Sequence, residues 1–318
     1  MTDNNKTFLI CHRGALGNFI LSWPAILLLK KHFPEYKFVG LGRPDYMKLA
    51  VKLGIMDECH DAESAKMQNF FENGVIPEEL GKPGKGVLWL KDARTTVELL
   101  KKNSGCDFAP IEPFPSEKLH VAKYHLREVL NYFKIDLSKG GGFSNPPKAN
   151  LNGGLESPPS VGFIPDPLTL IPEPYFPAKN TIYVHPGSGS SKKNYSPAFY
   201  LEAAKYAKDH FKTDVKFILG PVEIENGSTK FFPPEKILTP ENSSSLADIL
   251  SETKLFIGND SGVSHLAGFL GVPTIVLYKE TDPEIWGVVG RKTAYLINPL
   301  EIPLLRNLKD FLVSGNIF

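Results

Sequence analysis

Short apolar runs alternate along the chain with longer stretches whose apolar positions recur every three or four residues. The runs at 7–12 (TFLICH), 37–42 (KFVGLG), 86–92 (GVLWLKD), 181–188, 215–220, 236–240 and 293–298 read as strands. Helical periodicity covers 18–32, 118–135, 245–252, 262–271 and 301–313, with further helices near 44–53, 95–103 and 197–210. Strands that alternate with helices predict βαβ units and a parallel sheet.

The stretch 138–180 breaks the pattern. It holds nine prolines and six glycines, too many for regular structure, so it reads as a linker with extended pieces. The expected division is a first α/β domain over 1–157, a linker over 158–180, and a second α/β domain over 181–300. A terminal helix within 301–318 is expected to pack back on the first domain. In such an architecture the ligand site lies in the cleft between the halves. The apolar stretch 19–29 (FILSWPAILLL) contains a proline and is too short to cross a bilayer. It reads as a buried first helix rather than a signal-peptide core.

Composition narrows the classes. The chain has 318 residues, 42 % hydrophobic and 22 % charged, as expected of a globular protein with two cores. A net charge of +1 gives no bulk attraction for nucleic acid. Cys11, Cys59 and Cys106 are three and scattered, which fits neither a disulfide framework nor a zinc site. A reducing cytoplasm is the expected setting.

The chemistry gathers where strands hand over to helices. In "FIGNDSGVSHLAGFLGVPTIVLY" (256–278) a strand runs into Asp260, Ser261 and Gly262, and a helix follows with His265 in its first turn. The unpaired amides and the positive dipole end of that helix favour an anion. Gly262 leaves room for a phosphate to approach, and Ser261 offers a hydroxyl. Val263, Leu266, Ala267 and Leu270 make the buried stripe, and His265 falls off it, facing a ligand or bracing the loop. The plainer reading makes Asp260 or Ser261 a helix cap. A second loop, "HPGSGSSKKNYS" (185–196), adds glycines and the cations Lys192 and Lys193. The Walker spacing is absent, yet two phosphate-suited loops in one half point to a nucleotide diphosphate.

These motifs, with "FILGPVEIE" and "YKETDPEIWG", resemble the C-terminal half of family nine glycosyltransferases of the heptosyltransferase type. "FLICHRGALGNFILSWPAILLLKKHFPEYKF" is similar to that family's opening strand, loop and helix, with Arg13, Gly14 and Gly17 in the loop. The resemblance implies a GT-B fold: two Rossmann-like α/β/α domains facing across a cleft. It implies inverting, metal-independent transfer from a nucleotide sugar, ADP-heptose or another, to a lipopolysaccharide-core or related glycan acceptor. No cofactor beyond the donor is expected, and no Asp-x-Asp metal motif occurs. Partners would be the nucleotide sugar and a glycan or lipid-linked acceptor, with at most peripheral membrane contact on the cytoplasmic face.

By the same resemblance, Ser261, Gly262 and Val263 hold the diphosphate, and Lys192 or Lys193 supplies its counter-charge. Glu223 or Glu225 meets the nucleoside, and Asp260 organises the loop. Asp282 reads as a turn residue ahead of Pro283. The base is where this chain departs from the family. The family carries Gly-Asp after its first strand, and here the pair is Gly17-Asn18. A carboxamide takes no proton near neutral pH, so that role does not carry over. Asn18 reads instead as an N-cap for helix 19–32, and Asp92 and His12, at strand ends, are the replacement candidates, each with a structural role as its plainer reading. A binding protein that keeps the phosphate site without catalysis, and a GT-B-like epimerase that turns over without acceptor, are the rival readings.

Overall fold

The computed structural model describes residues 6–137, 164–171, 173 and 180–314. Most of the predicted linker lies outside the described residues. The first domain runs β1 (Lys6–His12), α1 (Leu16–His32), β2 (Lys37–Gly42), α2 (Pro44–Lys52), β3 (Glu58–Asp61), α3 (Ala65–Asn73), β4 (Lys82–Trp89), α4 (Ala93–Ser104), β5 (Asp107–Ile111) and α5 (Val121–Phe133). The second runs β6 (Thr181–His185), α6 (Pro197–Phe211), β7 (Asp214–Ile218), α7 (Pro221–Glu225), β8 (Ile237–Leu238) and α8 (Ser243–Ser251). It continues with β9 (Leu255–Asn259), α9 (Gly262–Phe269), β10 (Thr274–Tyr278), α10 (Pro283–Trp286), β11 (Thr293–Ile297) and α11 (Glu301–Val313).

Each sheet is parallel throughout, ordered β3-β2-β1-β4-β5 in the first domain and β11-β10-β9-β6-β7-β8 in the second. Counted within its own domain, each sheet has the Rossmann order, with helices on both faces. The order reverses between β1 and β4, and again between β6 and β9. Ligands sit at such reversals, beyond the carboxyl ends of the strands. Central strands are apolar because both faces are covered: Phe8, Leu9, Ile10 and Cys11 have no exposed surface, and all of β9 is buried. Among the described residues no helix is long and apolar enough to cross a membrane.

Three local expectations are corrected. The first helix begins at Leu16, with Ala15 as its N-cap, so Asn18 lies inside the first turn and caps nothing. α11 does not return to the first domain: Leu304, Leu308 and Leu312 pack into the second domain's core with Phe199, Tyr200 and Ala203 of α6. Gly262 faces protein, since a Cβ there would stand 2.9 Å from Leu16 Cβ and 3.2 Å from Gly17 N. The short elements β3, α3, β5, α7 and α10 have no counterpart in the sequence reading.

The larger hydrophobic cluster spanning the two domains joins Phe19, Trp23 and Ile26 of α1 to Leu266, Phe269 and Leu270 around α9. Trp23 meets Phe269 edge-on at 4.6 Å. Beside this contact, the Asp45 carboxylate accepts from the Ser243 N–H at the start of α8 (3.0 Å), and Lys52 binds Asp248 (2.5 Å). An anionic group at a helix N-terminus is favourable, so α2 and α8 are pinned at both ends.

Several histidines are buried in and beside this interface. Burial, then the neighbouring charge, pushes His12 down to about 3, while burial takes His120 and His125 to about 4. Unfolded, each would titrate near 6.5, so the unfolded chain binds more protons at mildly acid pH. Stability is therefore expected to fall as pH drops from about 6.5 towards 4. The depressed Asp260 carboxylate, described below, adds its loss only at lower pH. Thermal unfolding midpoints between pH 7.5 and 5 check this; a flat profile would contradict it.

Candidate active site

A cleft of about 380 Å³ opens between the domains. Its first-domain wall is Ala15, Gly17 and Asn18; its second-domain wall includes Gly189, Ser190, Lys193, Asp260, Ser261, Gly262, His265, Thr281 and Trp286. These residues follow β1, β6, β9 and β10 and so fall at the chain reversals of both sheets.

Two helix N-termini meet here. Phe19 N–H makes the first bond of α1, to Ala15 O, and His265 N–H makes the first of α9, to Ser261 O. The N–H groups of Leu16, Gly17 and Asn18, and of Gly262 and Val263, therefore fall outside the helical ladders. Each N-terminus carries roughly half a positive charge. Ser261 caps α9, its Oγ accepting from Ser264 N–H (3.3 Å), and the Ser264 hydroxyl donates to Asn259 O. Bringing two like partial charges together is favourable only with negative charge beside them.

Asp260 supplies part of that charge. Its buried Oδ2 accepts from Lys193 Nζ and Thr281 Oγ1, both at 2.7 Å, and its Oδ1 is 3.6 Å from His265 Nε2. Burial alone would push this carboxyl up. The neighbouring His265 imidazole, then the bonds from Lys193 and Thr281, outweigh it and hold the group well below the usual carboxylate range. A carboxylate so held is a weak base and a firm anchor. It aims Lys193 across the cleft mouth and braces the helix start through His265.

The loop after β6 is tied down by Asn259, which the sequence reading missed. Its side chain is fully buried, donates to Pro186 O (3.0 Å) and accepts from Tyr200 Oη (2.9 Å). Ser188 Oγ closes the loop, donating to Asn194 Oδ1 (2.6 Å). The available signal was an asparagine ending a strand that is otherwise apolar. Thr281 and Trp286 were also missed, although both lie in the YKETDPEIWG motif, because only its Asp282 was given a role.

Other sequence candidates sort by position. Lys193 lines the cleft, whereas Lys192 is exposed and does not. Glu223 is buried, its Oε2 accepting from Gly220 N–H (2.9 Å), and it lies so close to Gly187 that any Cβ there would collide with it. Glu225 is exposed at the end of α7. Val263 is half-buried against the core and is not among the residues lining the cleft, although its N–H falls outside the α9 ladder. Gly17 lines the cleft and packs against His265, while Gly14 packs on His12. Arg13 is exposed, with its guanidinium 5.2 Å from the Phe71 ring. Asp282 caps α10, accepting from Glu284 N–H (2.9 Å).

The two replacement bases are not in the cleft. Asp92 is an exposed residue in the left-handed region (φ 59°) at the start of α4, its own N–H bonded to Glu112 (3.2 Å). His12 is 2 % exposed under the Arg13–Gly14 loop, with Nδ1 accepting from Gly14 N–H (3.2 Å). Asn18 alone of the three faces the cleft.

Residues 172–308 match the model for glycosyltransferase family 9 (heptosyltransferase). No curated protein matches the chain by sequence. Among solved structures, the glycosyl transferase family 9 protein from Veillonella parvula superposes with a TM-score of 0.67 at 16 % identity, over 97 % of this chain and 90 % of that one. The E. coli heptosyltransferase WaaC with ADP gives 0.67 at 14 % identity, over 97 % and 99 %. E. coli ADP-heptose LPS heptosyltransferase II gives 0.63 at 13 %, over 97 % and 99 %. At such identities the structural likeness shows the shared two-domain GT-B fold. Together, the sequence of the second domain is similar to family 9 glycosyltransferases of the heptosyltransferase type, and the whole chain shares their fold.

Proposed function

We propose that the cleft binds a nucleotide-diphosphate sugar, heptose-like, and transfers the sugar with inversion and without a metal to a lipopolysaccharide-core or related glycan acceptor. One observation carries the reading: two helix N-termini from different domains converge with Lys193 on one cleft. Positive groups fixed where the departing diphosphate gathers charge would stabilise the transition state directly. The donor-side amides and Lys193 line one wall, and Ala15, Gly17 and Asn18 line the other. That opposition suits an in-line displacement, in which the acceptor hydroxyl attacks the anomeric carbon from the face opposite the leaving group. Ser261, Gly262, Val263 and Lys193 would hold the phosphates, and Glu223 is the better placed of the two glutamates to reach the nucleoside. The reaction would run on the cytoplasmic face, with membrane contact only through the acceptor. Asn18 supports a second reading, a nucleotide-sugar-binding protein without turnover.

The test is calorimetric titration with ADP, GDP and UDP and with their sugars. Lys193→Met is expected to weaken the preferred diphosphate by about ten- to a hundredfold, the scale of one charged hydrogen bond. Lys192→Met should change it by less than about twofold, as an exposed charge does. Equal effects from both variants, or no binding of any of these nucleotides, would overturn the placement.

A further inference from the structure

Trp286 is the one large apolar side chain among the described residues that line the cleft. It is half-buried, whereas the other tryptophans, Trp23 and Trp89, are at most 1 % exposed. Phe114 of the first domain meets it edge-on, with ring centroids 5.4 Å apart, and is itself 47 % exposed. From behind, Leu21, Val121 and Ala122 pack against Ile285, Trp286 and Val289, so the indole is held rather than free to swing. Holding aromatic surface partly open to water beside a polar cleft forgoes hydrophobic stabilisation. It serves where a ligand covers the ring with apolar surface of its own.

The position of the ring says what that ligand is. A diphosphate on the Gly262 and Val263 amides, with Lys193 across it, would carry its sugar into the same 380 Å³ cleft, whose apolar wall is Trp286. A pyranose has one face rich in C–H groups and hydroxyls around its edge. The C–H face suits the negative face of an indole, while Asn18 and Thr281 stand in the same lining to meet hydroxyls. We propose that Trp286, backed by Phe114, is the stacking platform for the sugar ring carried on the nucleotide diphosphate, and that it selects sugars with an unobstructed C–H face. This rests on the donor reading above.

The experiment separates sugar from diphosphate. Wild type, Trp286→Ala and Trp286→Phe are titrated with ADP, GDP and UDP and with ADP-heptose, ADP-glucose, GDP-mannose and UDP-glucose. For the sugar nucleotide that wild type binds best, the gain in affinity over its bare diphosphate is expected to shrink about fivefold in Trp286→Ala. The bare diphosphate should bind as before, and Trp286→Phe should restore most of the gain. Because Trp23 and Trp89 are buried, acrylamide quenching of wild-type fluorescence reports Trp286. The sugar nucleotide should protect it, and the bare diphosphate should not. Equal weakening of diphosphate and sugar nucleotide in Trp286→Ala would make the residue a pin between domains and overturn the platform. So would a sugar gain that survives the substitution. If wild type binds none of these nucleotides, the donor reading itself falls, visibly and before any variant is made.

Discussion

Gly262→Val is expected to cost stability and nearly abolish diphosphate binding together. A Cβ at this position would stand 2.9 Å from Leu16 Cβ and 3.2 Å from Gly17 N, closer than side chains pack. Valine adds two methyl groups to that conflict. Either α9 shifts away from α1 or the domains part at the point where their helix ends meet. Overpacking of this kind costs roughly 1–3 kcal/mol. The same displacement would separate the Gly262 and Val263 amides from those of Leu16–Asn18, so two or more charge-assisted hydrogen bonds to a diphosphate would be lost. A drop of at least about a hundredfold in affinity follows. Calorimetric unfolding and ligand titration on the same preparation measure both. Lost affinity with an unchanged unfolding midpoint would mean that the glycine serves the ligand alone. Unchanged affinity with a lowered midpoint would detach the anion site from α9.

That joint effect shows what the sequence could and could not reveal. Periodicity placed the main strands and helices because each buries a continuous apolar run or stripe, as at Phe8–Cys11 and along α11. It missed β3, whose four residues, Glu58 to Asp61, are all polar or half-buried at a sheet edge. The strand-to-helix grammar located Asp260, Ser261, Gly262 and His265, because cap and anion site use the same residue types. It could not show that the first helix of the other domain begins against them, since Gly17 and Gly262 are 245 positions apart. Two consequences followed. Gly262 read as clearance for a phosphate when it is also clearance for α1. Asp92 and His12 read as cleft residues because both end strands, yet one turns outward and the other lies beneath its own loop. Local pattern names the residue types that suit a ligand; tertiary packing decides which of them reach it.

Asn18→Asp is expected to raise transfer by about 10²–10⁴-fold, the usual contribution of a general base. Asn18 is the cleft-facing member of the three candidates, on the wall opposite the amides that would hold the leaving group. A carboxylate there would stand where the acceptor hydroxyl must lose its proton. The change should not cost stability: Asn18 is not the cap of α1 but sits within its first turn, where negative charge suits the helix end. The rate should level off above about pH 5, as an ordinary aspartate becomes fully ionised. Asp92→Asn and His12→Phe should leave any wild-type turnover in place, because the first is exposed elsewhere and burial keeps the second neutral to about pH 3. Release of nucleoside diphosphate, with and without acceptor, is the measurement. A large gain would show a site complete except for its base. No turnover in wild type or variant, with diphosphate affinity intact, would favour the binding-protein reading. Full wild-type turnover that neither Asn18→Asp nor Asn18→Ala alters would remove Asn18 from the chemistry. The proton acceptor would then be His265, whose imidazole lines the cleft, or the substrates themselves, since Asp260 is already held by Lys193 and Thr281.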